Sequence, residues 1–180
     1  MKSNPREIFD IVDAHDRVIG RAERSEVHRR NLLHRAVHVL VFDKRGRLFV
    51  QKRSATKDTF PRCYDSSSSG HVGAGESYDA CAERELMEEL GLGRNEHRPL
   101  RRLFKIAACP ETGWEFVWVF ACRADGAIHL NREEIESGAW MSWEEAIRLI
   151  QRSPARCASG FVRILEELLL RGRRGLLAGL

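Results

Sequence analysis

A mixed fold of strands and helices around one core is what the residue pattern predicts, and three observations carry that expectation. Short apolar or alternating runs recur along the chain with turn residues between them, as strands of a sheet do. Two longer stretches, Ser77 to Leu90 and Ser159 to Leu170, instead place their apolar residues at helical spacing. At 180 residues and 43% hydrophobic content the chain can bury one substantial core but is too short for two ordinary domains. A single domain over 1–180 is therefore expected, with a small N-terminal hairpin over 7–22 and a core over 30–170.

The elements follow in order. Glu7 to Val12 alternates as a strand, Asp13 to Asp16 is a turn, and Val18 to Ala22 returns as the hairpin partner. Ser25 to Arg30 reads as a short helix. The apolar run Ala36 to Phe42, the turn Asp43-Lys44-Arg45-Gly46 and Leu48 to Gln51 form a second hairpin, with both strands buried. His38 lies inside that run and reads as a core residue. After the long helix, Leu100 to Ala108 is a strand, Pro110-Glu111-Thr112-Gly113 a turn, and Trp114 to Cys122 the returning strand. Trp114 and Trp118 alternate with Glu115 and Val117, which makes one face of that strand aromatic; core or interface packing is the expected use of these rings, and a pocket wall the alternative. Gly138 to Trp143 reads as a last strand, and Ser142 caps a helix through Ile150. Pro154 interrupts, Ser159 to Leu170 is helical with a leucine face to cover, and the basic stretch from Arg171 to Gly175 reads as a frayed end.

Charge and cysteine content exclude several classes. A formal charge of +4 and a pI near 9.0 suit an anionic small molecule without demanding stable binding to nucleic acid. Cys63, Cys81, Cys109, Cys122 and Cys157 make an odd set without paired C-x-x-C spacing, and no secretory leader is recognisable, so reduced thiols in the cytoplasm are expected. No apolar run approaches the roughly 20 residues that span a bilayer. The leucine face of the last long helix is covered by the sheet or by a second copy, so a homodimer is possible.

The chemistry concentrates in GHVGAGESYDACAERELMEELGL, Gly70 to Leu92. The run from Ser77 to Leu90 lacks Gly and Pro, Ser77 is a good N-cap, Ala80, Leu86 and Leu90 line an inward face, and Gly91 stops the helix. Residues three and four apart share a helix face, so Glu85, Glu88 and Glu89 project together within about one turn. Three such charges repel, and a divalent cation relieves the repulsion. Mg2+ in particular takes carboxylate oxygens together with water and substrate phosphates. A solvated helix face would account for the acids but not for the glycine loop placed ahead of them.

Gly70, Glu76, Arg84, Glu85, Leu86, Glu88, Glu89, Gly91 and Leu92 together resemble the full signature of the Nudix hydrolases. That resemblance implies an α/β fold in which a mixed β-sheet is sandwiched between helices, with residues from about 5 to 170 covered. It further implies that Glu85, Glu88 and Glu89 are metal ligands, that Gly70 offers its backbone carbonyl near the metal, and that Arg84 orients a glutamate by ion pairing, with Glu76 its supporting partner.

A second resemblance lies in QKRSATKDTFPRCYDSSSSGH, Gln51 to His71, and in Leu32 to Ala36, which are similar to type I isopentenyl-diphosphate isomerases, a branch of the same fold. By that resemblance Arg53 and Lys57 bind a substrate diphosphate, a task suited to a forked guanidinium and an ammonium. Ser69 and His71 would also meet the substrate. His34 and His71 match metal-binding histidines, and His28 matches a third if the alignment is shifted by one residue. Glu115 falls close to a catalytic glutamate, and Glu133, Glu134 and Glu136 lie where such hydrolases place an additional one, with Glu136 favoured. The chain departs from the isomerases at Ser69, which stands where they carry a catalytic cysteine, and in keeping the whole glutamate cluster. A serine hydroxyl is a far weaker acid than a thiol and does not inherit proton transfer to an alkene carbon.

The expectation is thus Mg2+-dependent hydrolysis of a diphosphate linkage in a nucleoside diphosphate-X or related organic pyrophosphate, with Mn2+ a possible substitute. Glu88, Glu89, Arg84 and Glu115 are the catalytic candidates, and Glu89 or Glu115 the base. The alternatives are isopentenyl-diphosphate isomerisation and a non-catalytic diphosphate-binding module.

Overall fold

The computed structural model describes residues 6–124 and 126–178. Strands β1 (Ile8–Val12) and β2 (Val18–Glu23) pair as an antiparallel hairpin, and helix α1 (Arg24–Arg30) follows, ended by Asn31 in the left-handed region at φ 52°. The main sheet contains β3 (His34–Phe42), β4 (Leu48–Arg53), β5 (Tyr64–Asp65), β6 (Ser68–His71), β7 (Arg101–Ile106), β8 (Glu115–Arg123) and β9 (Ile135–Met141). Among the described residues the remaining α-helices are α2 (Tyr78–Leu90), α3 (Trp143–Arg152), α4 (Ser159–Leu170) and α5 (Arg173–Leu176).

Strand β3 is the centre. It runs parallel to β8 along its whole length, and β8 is flanked by antiparallel β7. Its other edge is shared. β3 and β4 pair at Phe42 and Leu48 beside their turn, then β4 diverges toward β9 and β5, while β6 pairs with Ala36 to Val39. This splaying opens a cleft of about 1120 Å³ bounded by β6 and by the segment that follows β4.

Alternation along β3 assigns its two faces. Val37, Val39 and Val41 pack with Cys81, Leu86 and Leu90 of α2, while Ala36, Leu40 and Phe42 pack with Phe161, Ile164, Leu165 and Leu168 of α4 and with Ile150 of α3. A strand covered on both faces has to be apolar at nearly every position, which explains the run in its sequence. The layers are therefore helix, mixed sheet, helices, as the family resemblance implies.

Several boundaries differ from expectation. β7 is shorter than Leu100 to Ala108, and β9 begins earlier, at Ile135, with Trp143 opening α3 rather than ending the strand. The capping box between Ser142 and Glu145 fixes that start. The basic end expected to fray makes a short helix, α5. The aromatic wall is also corrected: Trp114 precedes β8 at φ 65° and is 36% exposed, and Trp118 lies under the Arg102 guanidinium, 5.0 Å from the ring centroid. Alternation puts the opposite residues, Glu115 and Val117, on the cleft. The leucine face of α4 is buried against the sheet, leaving Leu169 and Leu170 outside.

Candidate active site

Helix α2 and the loop before it are fixed by a few polar contacts. Ser77 caps the helix by accepting from Ala80 N–H, and Gly91 ends it in the left-handed region at φ 65°. Arg84 grips Glu76 as a fork, Nε to Oε1 at 2.9 Å and Nη2 to Oε2 at 3.0 Å. Its Nη1 donates to Glu85 Oε1 at 2.6 Å and to Glu88 Oε2 at 3.1 Å, and its Nη2 to the His71 carbonyl at 3.1 Å. Glu76 also accepts from Gly73 N–H at 2.9 Å, so one guanidinium ties the glycine loop to the acidic helix face.

The three glutamates differ in setting. Glu89 is 3% exposed and accepts from Ser69 N–H at 3.1 Å, with the Gln51 amide at 3.5 Å. Glu85 lies against the Gly70 backbone, and Glu88 reaches half into solvent. Burial raises the pKa of both Glu85 and Glu89, and the repulsion of Glu89 adds to that of Glu85. Lys57 works against the rise at Glu89.

Arg53 and Lys57 both line the cleft. Neither is a free charge. Arg53 donates to Asp65 at 2.9 Å and to the Thr59 carbonyl at 3.1 Å, and Lys57 pairs with Glu134. Arg24, which the sequence reading missed, joins them on the lining and donates to Asp58 at 2.9 Å. Its position at the start of α1 is far from the motif, and nothing in its local sequence marks it. Glu133 and Glu134 lie on the cleft, delivered by a loop whose His129 and Asn131 amides donate to the Leu90 and Glu89 carbonyls. Glu136, the favoured additional glutamate, is corrected: it projects from β9 and pairs with Lys52 at 2.6 Å, off the cleft lining.

Across β6 from the glutamates lies a second cluster. Ligand nitrogens of His28, His34 and His71 all fall within 4.8 Å of one another. Phe9 of the N-terminal hairpin stacks on His71 at 4.8 Å and on His34 at 5.7 Å between centroids. His34 Nδ1 donates to the Leu32 carbonyl at 2.8 Å, which leaves a lone pair on Nε2, and that atom is buried without a hydrogen bond. Glu115 Oε1 is 3.4 Å from it and 2.9 Å from His71 Nε2. Burial pushes His71 down and His28 down to about 4. Burial would raise Glu115, but His71 and His34 outweigh it and hold the carboxyl well below the usual range. As neutral imidazoles these three rings, facing a carboxylate, would be a donor set for a transition-metal ion, and the Leu32 carbonyl fixes which nitrogen His34 offers. The buried, unpaired Nε2 atoms of His28 and His34 fit that group. His28 thus joins His34 and His71, and Glu115 belongs with them rather than with the glutamates.

His38 is buried as expected, yet it also borders the cleft, its Nδ1 2.6 Å from Ser66 Oγ. All five cysteines are free thiols. Among the described residues no helix is long and apolar enough to cross a membrane.

A three-layer fold with a glycine loop, an acidic helix face and basic residues around one cleft defines an enzyme acting on phosphoric anhydrides. A NUDIX domain profile matches residues 32–158. The chain is 44% identical over 146 residues to an uncharacterized Nudix hydrolase of Streptomyces coelicolor, covering 78% of this chain and 75% of that protein. It is 35% identical over 164 residues to a prenyl-diphosphate phosphatase of Methanosarcina mazei, with coverage of 87% and 94%. It is 33% identical over 167 residues to isopentenyl-diphosphate Delta-isomerase 2 of Photorhabdus laumondii, with coverage of 90% and 92%. The chain belongs to the Nudix hydrolase family and is a pyrophosphohydrolase. Members of that family act on small-molecule diphosphates and generally use divalent metal ions.

Proposed function

We propose that this chain is a Mg2+-dependent pyrophosphohydrolase that cleaves the diphosphate linkage of a small organic pyrophosphate. The observation that carries the reading is the pair Glu85 and Glu89, one mostly buried and one buried carboxylate held on one helix face, with Glu85 against the Gly70 backbone. Burying like charges together costs free energy that a cation offsets. Glu85, Glu88 and Glu89, with the Gly70 carbonyl, would hold Mg2+, and Mn2+ suits the same oxygen donors. Bound there, the ion neutralises phosphate oxygens and lowers the pKa of a water.

The chain's own residues supply the rest. Arg84 fixes Glu85 and Glu88 in place through its fork on Glu76. Glu89, which borders the cleft and is positioned by the Ser69 N–H, is the residue we assign to accept the proton of the attacking water. Glu115, which sits with the histidines and whose carboxyl lies well below the usual range, is a poorer acceptor. Lys57 and Arg53 bind the diphosphate oxygens, Lys57 exchanging Glu134 for substrate. Ser69 and His71 border the bound group. All these residues come from one chain, so neither a second copy nor nucleic acid is needed to complete the cleft.

The substrate we favour carries an apolar group. Ala36, Ile106, Val117, Ala158 and Ile164, all of one core cluster, border the cleft, and an apolar border favours such a partner. The prenyl-diphosphate phosphatase relative supports a prenyl diphosphate over a nucleoside diphosphate-X.

Isomerisation of isopentenyl diphosphate is a second reading, favoured by the His28, His34, His71 and Glu115 set. Ser69 weighs against it, since it brings a hydroxyl where a thiol is needed. Incubation with nucleoside, sugar and prenyl diphosphates under Mg2+ separates the readings. Phosphate or monophosphate release from a prenyl diphosphate is the expected result. Double-bond migration without release would establish the isomerase instead, and binding with no turnover would leave only a diphosphate-binding module.

A further inference from the structure

We propose that Asp10, from the N-terminal hairpin, is a positioning residue for the hydrolysis: its carboxylate holds the glycine loop in the shape that presents Glu76 to Arg84. The inference rests on the hydrolase reading above, in which Arg84 fixes Glu85 and Glu88. The matched family profile spans residues 32–158 and leaves Asp10 outside.

Three successive residues of β1 meet the loop. The Ile8 carbonyl accepts from Ala74 N–H at 2.9 Å, Phe9 bridges to Gly73, and Asp10 Oδ2 accepts from Gly75 N–H at 2.8 Å. Gly75 stands in the left-handed region at φ 78°, so the backbone turns sharply there. Glu76 follows directly. Its N–H donates to the Gly73 carbonyl at 2.9 Å, and its carboxylate takes the Gly73 N–H and the Arg84 fork. Each amide from 73 to 76 thus has an acceptor, and that of Gly75 alone depends on a side chain from another element.

Asp10 is 6% exposed, and a carboxylate buried to that degree needs partners. Its two oxygens divide the task. Oδ1 accepts at 3.0 Å from Nε of Arg21, its cross-strand neighbour in β2, while Oδ2 takes the Gly75 amide. The Arg21 side chain is largely exposed, so that ion pair adds little to the hairpin's hold. An apolar side chain at this buried position would avoid the desolvation cost but would leave the Gly75 N–H without its acceptor.

A two-stranded hairpin holds little shape by itself, and this one is anchored to the helix that carries the glutamates. Asp16, at its turn, accepts from Tyr78 Oη at 3.1 Å and from Nε of Arg35 in β3 at 2.6 Å. At the other strand end, Val12 N–H donates to the Leu33 carbonyl at 2.9 Å. Tyr78 opens α2, so Asp10 is held in fixed relation to Arg84, Glu85 and Glu88 on that helix. Contact then runs from Asp10 to Gly75, to the adjoining Glu76, and through Arg84 to Glu85 Oε1 at 2.6 Å and Glu88 Oε2 at 3.1 Å. Loss of the Asp10 acceptor would turn the Gly75 N–H toward water and carry Glu76 with it.

Amide hydrogen exchange and steady-state kinetics on the full chain test this, with the parent, Asp10→Ala, Asp10→Asn and Arg21→Gln compared. The Gly75 N–H should be protected in the parent, exchange faster in Asp10→Ala, and be protected again in Asp10→Asn, whose amide oxygen still accepts. Asp10→Ala should lower kcat roughly 10-fold or more with KM little changed, and Asp10→Asn should recover most of that rate. Arg21→Gln, which breaks only the hairpin's ion pair, should keep the parent's kcat and its Gly75 protection. A parent Gly75 amide that exchanges as fast as open chain overturns the proposal, and that measurement needs neither a folded variant nor turnover. An Asp10→Ala kcat equal to the parent's overturns it too, as does a loss that Arg21→Gln matches, which would reduce Asp10 to part of the hairpin's own stability. Should the parent itself release no phosphate, the hydrolase reading fails, while the exchange data still decide whether Asp10 holds the loop.

Discussion

Gly70 and Glu85 occupy each other's space: a Cβ on Gly70 would lie 1.9 Å from Glu85 Oε1 and 2.1 Å from its carboxyl carbon. Only a residue without a side chain lets the backbone of β6 approach the acidic face so closely. Because Arg84 pins the same Glu85 oxygen, the carboxyl cannot move aside without breaking that bond. Gly70→Ala should therefore lower kcat/KM by roughly 10²-fold, the scale of an ångström's misplacement, with a melting temperature only a few degrees lower. Steady-state kinetics and thermal melts check both, and activity within twofold of the parent would show that this contact is unimportant.

The buried pair makes stability depend on pH. Burial and repulsion raise Glu85 and Glu89 above the ordinary value of 4.5. The folded, metal-free protein then retains protons that the unfolded chain has already lost, so the pair destabilises the fold increasingly as pH rises through neutrality. Glu89→Gln removes that burden while keeping an acceptor for Ser69. Without added cation the variant should exceed the parent in stability at pH 8 by about 1–3 kcal/mol, and the difference should vanish near pH 5. Mg2+ should raise the parent's melting temperature more at pH 8 than at pH 5. Calorimetric melts across this range would contradict the account if the parent were the more stable at pH 8.

Arg84 acts through its partners. Glu76 is held below the usual carboxylate range by Arg84 although burial opposes this, and a lysine cannot reproduce the fork. Arg84→Lys should cost about 2 kcal/mol for lost charged hydrogen bonds, roughly 5 °C in melting temperature, and lower kcat/KM about 10–100-fold. Glu76→Gln should lower activity similarly, and the double variant should be little worse than either single one. Independent, multiplying losses would show that the two residues do not work as a unit.

What could be read from the chain alone was local. Ser77 and Gly91 bound α2 as capping chemistry dictates, and Glu85, Glu88 and Glu89 share a face because helical spacing leaves no choice. The apolar run of β3 announced a strand covered on both sides. Contacts made over long separations were not legible. Whether Glu134 or Glu136 reaches the cleft depends on where the loop ends and β9 begins, and β9 starts earlier than its sequence suggests. Trp118 faces Arg102 because β8 pairs with β7 in a bulged register. Phe9 and Arg24 carry no local mark at all, and they reach the site only because the N-terminal hairpin folds back along the glycine loop, with Phe9 bridged to Gly73.

The histidine set should behave as a separate metal centre. Protein prepared without chelator should retain about one zinc or manganese ion per chain after dialysis, and His34→Asn should lose it. Because the ligands bind as neutral imidazoles, acid should release the ion as they protonate. Elemental analysis of the parent and of His34→Asn decides this. Equal metal content in the two would mean that the cluster is simply a packed aromatic group around Phe9.

The most direct test of the central claim is single-turnover hydrolysis of a prenyl diphosphate by the parent and by Glu89→Gln, each with Mg2+ and with chelator. The account predicts phosphate release by the parent that stops in chelator and falls at least about 10³-fold in the variant, the loss expected when the groups that stabilise the transition state are removed. Release that persists without a divalent cation, or that Glu89→Gln leaves intact, would contradict it.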